Sequence, residues 1–181
     1  QMMRKVRVED SGDGATQERL RMEHSVVHNV GGHCLEATGS RLFVGNSQLS
    51  NAAGSCVKLL GGDAQFIHCT IAQFYPFSGL RGPALLYANS DEQPLLGAAF
   101  ANCIITGYSD DEIYGEQASG ETVFNYSFQN CLLNTPEISD DPNVLDNQWE
   151  KASNEIKREK NFPHFDLDRL LYNFSLDARS P

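Results

Sequence analysis

Positive charge is scarce in this chain. Of 181 residues, 14 are Lys or Arg against 24 Asp or Glu, giving a formal net charge of −10 and a pI of about 4.8. Phosphate binding needs a basic surface, so the balance argues against a nucleic-acid partner, and it disfavours a polyanionic glycan. The basic residues at the start (Arg4, Lys5, Arg7, Arg19, Arg21) read as a solvated face. Long apolar runs are missing too. None approaches the ~20 residues that span a bilayer, and mean hydropathy is −0.39. No Cys-x-x-Cys pair supplies a metal site, and no cofactor motif occurs. No secretory leader is visible. The opening "QMMRKVRVED" reads like the interior of a longer protein.

What the chain does contain is one phrase twice. "FANCIITG" (Phe100–Gly107) and "FQNCLLNT" (Phe128–Thr135) share Phe-x-Asn-Cys, two aliphatics, a polar residue and a small one, 28 residues apart. Followed backwards, the Asn column continues through His68, Asn46 and His24, with spacings of 22, 22, 34 and 28 residues. A unit of about 22 residues with insertions in later copies signals a solenoid. Two residues before the column stand Met22, Val44, Phe66, Phe100 and Phe128; four before stand Leu20, Leu42, Ala64, Ala98 and Tyr126. One residue after come Ser25, Ser47, Cys69, Cys103 and Cys131; three after come Val27, Leu49, Ile71, Ile105 and Leu133.

These positions alternate with strand periodicity, but the phase slips at the Asn/His column. A slip at a fixed point implies a tight corner in which one residue breaks the alternation. Asn tolerates the left-handed conformation such a corner needs. His24, Asn46, His68, Asn102 and Asn130 are therefore expected at one corner of stacked coils, their side chains bonding coil to coil as an internal ladder. The two His are read as ladder members rather than catalytic groups.

The Phe-x-Asn-Cys phrase, the period and the polar corner resemble right-handed parallel β-helix repeat proteins of the pectate-lyase-like superfamily. More narrowly, the chain is similar to large exported β-helix proteins of Bacteroidetes-type bacteria, whose β-helix ends like "FSLDARSP" (Phe174–Pro181). The resemblance implies an all-β fold: a right-handed single-stranded parallel β-helix with a C-terminal capping segment. It also implies an extracellular or cell-surface location. It does not specify activity, because this fold hosts lyases, hydrolases, adhesins and inert stalks.

On that fold, residues 1–136 are coils, read as the C-terminal part of a longer solenoid, and residues 137–181 are a cap or tail. Stacked Cys have parallel Cβ vectors at ~4.8 Å, whereas a disulfide wants converging ones at ~3.8 Å. All five Cys are expected free and packed. A polysaccharide lyase or hydrolase needs carboxylates, or an Asp with a basic group, on one outward face. The outward columns, with members such as Phe43, Gln65, Ala99 and Ser127, or His28, Ser50, Ala72, Thr106 and Asn134, hold one carboxylate, Glu23, and no Lys or Arg. Glu36 and Lys58 should stack as an outward pair. No catalytic residue is assigned.

The apolar outward residues Ile67, Ala101, Ile104 and Leu132 call for a cover, which the tail can supply. Within the tail, "QWEKASNEIKREK" (Gln148–Lys160) reads as either a short polar helix or a charged excursion. Function is expected in the insertions. "AQFYPFSGLRGP" (Ala72–Pro83) carries Tyr75, Phe77 and Arg81; "YSDDEIYGEQASGE" (Tyr108–Glu121) carries Tyr108 and Asp110. Rings beside carboxylates and an Arg grip sugars, so these five residues are the candidate site for a neutral glycan. Asp110, Asp111 and Glu112 are read as a solvated acidic turn, not a calcium loop. The expected function is an exported surface module, structural or glycan-binding, without catalysis here. The alternative is the C-terminal part of a polysaccharide lyase or glycoside hydrolase whose active site lies upstream.

Overall fold

The computed structural model describes residues 6–9, 17–150, 158–166, 168–169 and 171–178. In chain order the strands are β1 (Val6–Glu9), β2 (Glu18–Glu23), β3 (Val26–Val30), β4 (Leu35–Thr38), β5 (Arg41–Gly45), β6 (Gln48–Ala52), β7 (Val57–Leu60), β8 (Gly62–Ile67) and β9 (Thr70–Gln73). They continue as β10 (Leu85–Ala88), β11 (Leu95–Ala101), β12 (Ile104–Gly107), β13 (Ile113–Glu116), β14 (Ser127–Gln129), β15 (Leu132–Leu133), β16 (Val144–Leu145) and β17 (Gln148–Trp149). A hairpin of β18 (His164–Asp166) and β19 (Leu171–Asn173) follows.

Up to β15 every third strand pairs, and β16 and β17 then join β14 and β15, always parallel. The first wall is β1-β4-β7-β10-β13, the second β2-β5-β8-β11-β14-β16, and the third β3-β6-β9-β12-β15-β17. The chain is a right-handed parallel β-helix. The sequence columns are its register. Met22, Val44, Phe66, Phe100 and Phe128 are successive partners in the second wall, and Val27, Leu49, Ile71, Ile105 and Leu133 in the third. All ten are buried in one continuous core. Phe66, Phe100 and Phe128 stack nearly parallel, with centroids 4.9 and 5.0 Å apart, as strands 4.7–4.9 Å apart require of equivalent rings.

The winding continues past Thr135. Strands β16 and β17 pair with β14 and β15, and Asp146 takes the corner between them with φ of 56°. This coil escapes the columns because its loop is shorter and its corner residue is Asp in "VLDNQW". Of the proposed helix over Gln148–Lys160, the segment 151–157 lies outside the described residues. Its flanks are β17 and a 3₁₀ turn, Arg158–Asn161.

His24, Asn46, His68, Asn102 and Asn130 do stand at one corner, all with φ between 47° and 55°. Their side chains, however, are exposed, and the rungs here are main-chain: the Asn46 and Asn102 amides, for example, donate to the Ile67 and Gln129 carbonyls at 2.9 and 3.0 Å. A left-handed residue at an outward bend turns its Cβ to solvent, so the internal ladder passes to the next residue. Ser25, Ser47, Cys69, Cys103 and Cys131 each donate to the carbonyl two residues earlier. In turn the Ser25, Cys103 and Cys131 amides donate to Ser47 Oγ, Cys131 Sγ and Asn147 Oδ1 one coil on. The Asn-Cys phrase is thus a corner followed by its internal clip. All five thiols are buried and free.

Two further corners are plugged from inside. Gln73, fully buried, donates to the carbonyls of Ala52, Gly54 and Gly82 and accepts from the Ala52 amide. Asn134 donates to the Gly107 and Ser109 carbonyls. Ser50, Ala72, Thr106 and Asn134, expected to face outward, are therefore buried. For Ala72 and Thr106 the reason is the tail. Phe162, Phe165, Tyr172 and Phe174 pack with Ala72, Phe74, Ile104 and Tyr108 on the outer face of the third wall. Glu150 locks this cover, accepting from Thr106 Oγ1 at 2.9 Å, Asn161 Nδ2 at 2.9 Å and the Arg158 amide at 3.1 Å.

Candidate functional site

The insertions Ala72–Pro83 and Tyr108–Glu121 leave the third wall after β9 and β12, which are adjacent and in register. Adjacency of the strands makes neighbours of the loops. The Arg81 guanidinium lies 5.5 Å from the Tyr108 ring centroid, and its Nη2 is 3.4 Å from Ser109 Oγ. Arg81 Nε is buried with no hydrogen-bond partner among the described residues. Phe77 is 65% exposed and stands edge-on to Tyr75, with centroids 5.4 Å apart.

The five candidates do not share one open surface. Tyr75 is buried, at 7% exposure, so it supports Phe77 rather than offering a ring of its own. Tyr108 packs edge-on against the fully buried Phe74, 5.0 Å away, inside the cluster under the tail. Burial raises the Tyr108 phenol above its ordinary range. Asp110 is exposed but paired with Arg158, whose Nη1 also reaches the Tyr108 carbonyl at 3.0 Å. Arg158 lies outside the repeat, about 50 residues from both partners, and no spacing in the sequence announces it. The open part of the site is thus Phe77, with Arg81 laid over the ring of Tyr108.

The acidic turn separates into three. Asp110 pairs with Arg158; Asp111 Oδ1 accepts from the Ile113 amide and from Thr135 Oγ1 at 2.7 Å. Glu112, read from sequence as solvated, is fully buried. It occupies the inward position held by Cys34, Cys56 and Ala84 in earlier coils. Its Oε1 accepts from the Ser109 amide and its Oε2 from the Ala84 amide, both at 2.8 Å. A Cβ at Gly107 would stand 2.4 Å from Oε1, so only glycine leaves room for this carboxylate. Burial pushes Glu112 up to about 7, against the pull of the two amides and Arg81. Glu150 is raised for the same reason.

No protein-family model, curated protein or solved structure matches this chain.

The outward faces carry little chemistry. Glu36 and Lys58 stack in register, Nζ to Oε1 3.5 Å apart. The register adds one residue missed in the columns: Arg21 stands beside Phe43, its guanidinium 4.5 Å from the ring centroid. It is held by both Glu18 oxygens at 2.9 Å and lies 3.8 Å from Glu23. Among the described residues, no three His, Cys, Asp or Glu converge where a metal ion would sit. His33, without pattern in the sequence, accepts the Ser55 amide through Nδ1 at 2.9 Å.

Proposed function

We propose that this chain is an exported surface module of the pectate-lyase-like β-helix type, a rigid spacer that grips a neutral glycan through its first insertion. The observation that carries the reading is Phe77. It is a large ring left exposed in the same insertion as Arg81, which Tyr108 and Ser109 hold. An exposed ring offers a face to the C–H surface of a sugar, and a fixed guanidinium donates to its hydroxyls.

A binding role is favoured over hydrolysis or elimination by the state of the carboxylates. Glu112 is buried and Glu150 half-buried, and they accept two and three groups, respectively. Asp110 is ion-paired, and Asp111 holds the turn. A glycosidase needs two carboxyl groups facing one bond, and no such pair stands beside Phe77. The extracellular setting rests on the resemblance alone.

Affinity electrophoresis in gels containing neutral polysaccharides tests the reading. The chain should be retarded by at least one of them, and Phe77→Ala or Arg81→Ala should restore free mobility. Equal retardation of the variants, or none for the parent across a broad panel, would refute it.

A further inference from the structure

Among the described residues the first wall has one strand fewer than the other two. It ends at β13, while the second and third walls run on through β14 and β16 and through β15 and β17. The chain between β15 and β16 starts to pair, with the Glu112 amide donating to the Asn134 carbonyl at 2.9 Å. It then departs at Thr135-Pro136, since proline cannot donate to a ladder. Among the described residues no further strand supplies inward side chains here, and a cavity of about 410 Å³ takes their place. Volumes of about 300–1,000 Å³ are typical of small-molecule sites.

Aromatic rings dominate its wall: Tyr87, Phe124, Tyr126, Phe128 and the chain's one tryptophan, Trp149. The rings are braced by one another, Tyr87 lying 5.6 Å from Phe124, 5.4 Å from Tyr126 and 6.0 Å from Phe128. The Tyr126 hydroxyl donates to Asp141, which holds that ring in place and enriches it in electrons. Asp111 lines the cavity as well, and Glu116 is exposed on the open edge strand.

The one charged side chain in its lining is acidic, Asp111, and the basic residue of the adjoining pocket, Arg158, is paired with Asp110. From Gly82 to Glu150 the chain contains no Lys, Arg or His, against twelve Asp and Glu. A field of that sign repels anions and gives nothing to a neutral ligand. Electron-rich ring faces attract cations through their quadrupole, most strongly where water is excluded. The two features call for the same occupant.

We propose that this cavity binds an organic cation of the trimethylammonium class. The inference does not depend on the glycan reading, which concerns Phe77 and Arg81 of the first insertion, neither of which lines this cavity. The methyl groups fill the aromatic pocket, and the diffuse charge is balanced by Asp111 and the acidic surface without a formal ion pair.

Trp149 emission reports occupancy directly. Choline and Nε-trimethyl-lysine amide should each change it saturably, the tighter of the two indicating whether a free metabolite or a modified peptide is the source. The uncharged isostere 3,3-dimethylbutan-1-ol should bind at least about tenfold more weakly. Added sodium chloride should weaken choline binding and leave the isostere unaffected. Asp111→Asn should weaken choline several-fold. Because Asp111 also holds a turn, Glu116→Gln on the exposed edge provides a second reading, with a smaller loss in the same direction. Equal binding of choline and isostere, or no saturable response to either cation, would overturn the proposal.

Discussion

Thr106 Oγ1 donates to Glu150 Oε1 at 2.9 Å, across 44 residues of chain. Thr106 lies on the outer face of β12 and Glu150 follows β17, so this contact fastens the tail to the wall. Removing the carboxylate leaves the Thr106 hydroxyl, the Asn161 amide and the Arg158 main-chain amide without an acceptor, at about 1–3 kcal/mol for each buried group. Glu150→Ala should therefore loosen the tail while the coils stay folded. Limited proteolysis should cut the variant after residue 150 faster than the parent, leaving a resistant fragment. Cleavage at equal rates would show that the aromatic cluster alone holds the tail.

The Phe66–Phe100–Phe128 stack is the axis of the core. Phe100 has a ring on each side and is 1% exposed, so truncation opens a cavity between coils that backbone pairing prevents from collapsing. Phe100→Ala should cost about 3–5 kcal/mol in a denaturant titration. Phe128, nearer the end of the core, should cost less. The reverse order would mean that the last coil, not the middle, limits stability.

Glu112 gives the chain a pH dependence of defined sign. Its folded value, about 7, lies above its unfolded value of 4.5. Between the two the native state binds the extra proton, so stability is greatest below about pH 4.5 and declines as pH rises to about 7. The decline attributable to this residue is at most about 3 kcal/mol. Glu112→Gln removes the titration. Its urea midpoint should start lower than the parent's at pH 5, because one amide loses its acceptor, and the gap should narrow by pH 7.5. A gap that widens with pH would mean the carboxylate is stabilised as the anion by its two amides.

Asn102 tests the corner. Its φ is 54° and its side chain is exposed, so the residue is needed for conformation rather than contact. Asn102→Gly should change stability by only a few tenths of a kcal/mol. Asn102→Val, β-branched in a left-handed position, should cost about 1–2 kcal/mol. If Gly cost as much as Val, the amide would have to make a bond of its own.

The coil was legible in the sequence because a solenoid repeats one local rule. Each turn needs the same inward column and the same left-handed corner, so Phe-x-Asn-Cys marks the spot wherever it occurs. Register, burial of the columns and the Glu36–Lys58 pair follow from that spacing. The adjacency of the two insertions follows too, since neighbouring strands must carry neighbouring loops. What escaped it were contacts outside the period. Nothing in the spacing of Glu150, Arg158 or Phe174 says that they meet Thr106, Tyr108 and Phe74, because a non-repeating tail is placed by surface complementarity. Glu112 looks solvated among acidic neighbours until the register puts it in the column of Cys34 and Cys56, where burial outweighs composition. The aromatic cavity is the clearest case. Tyr87, Tyr126 and Trp149 are ordinary inward or terminal residues one at a time, and only the winding of the last coils, with no strand described beyond β13 in the first wall, gathers them around one cavity.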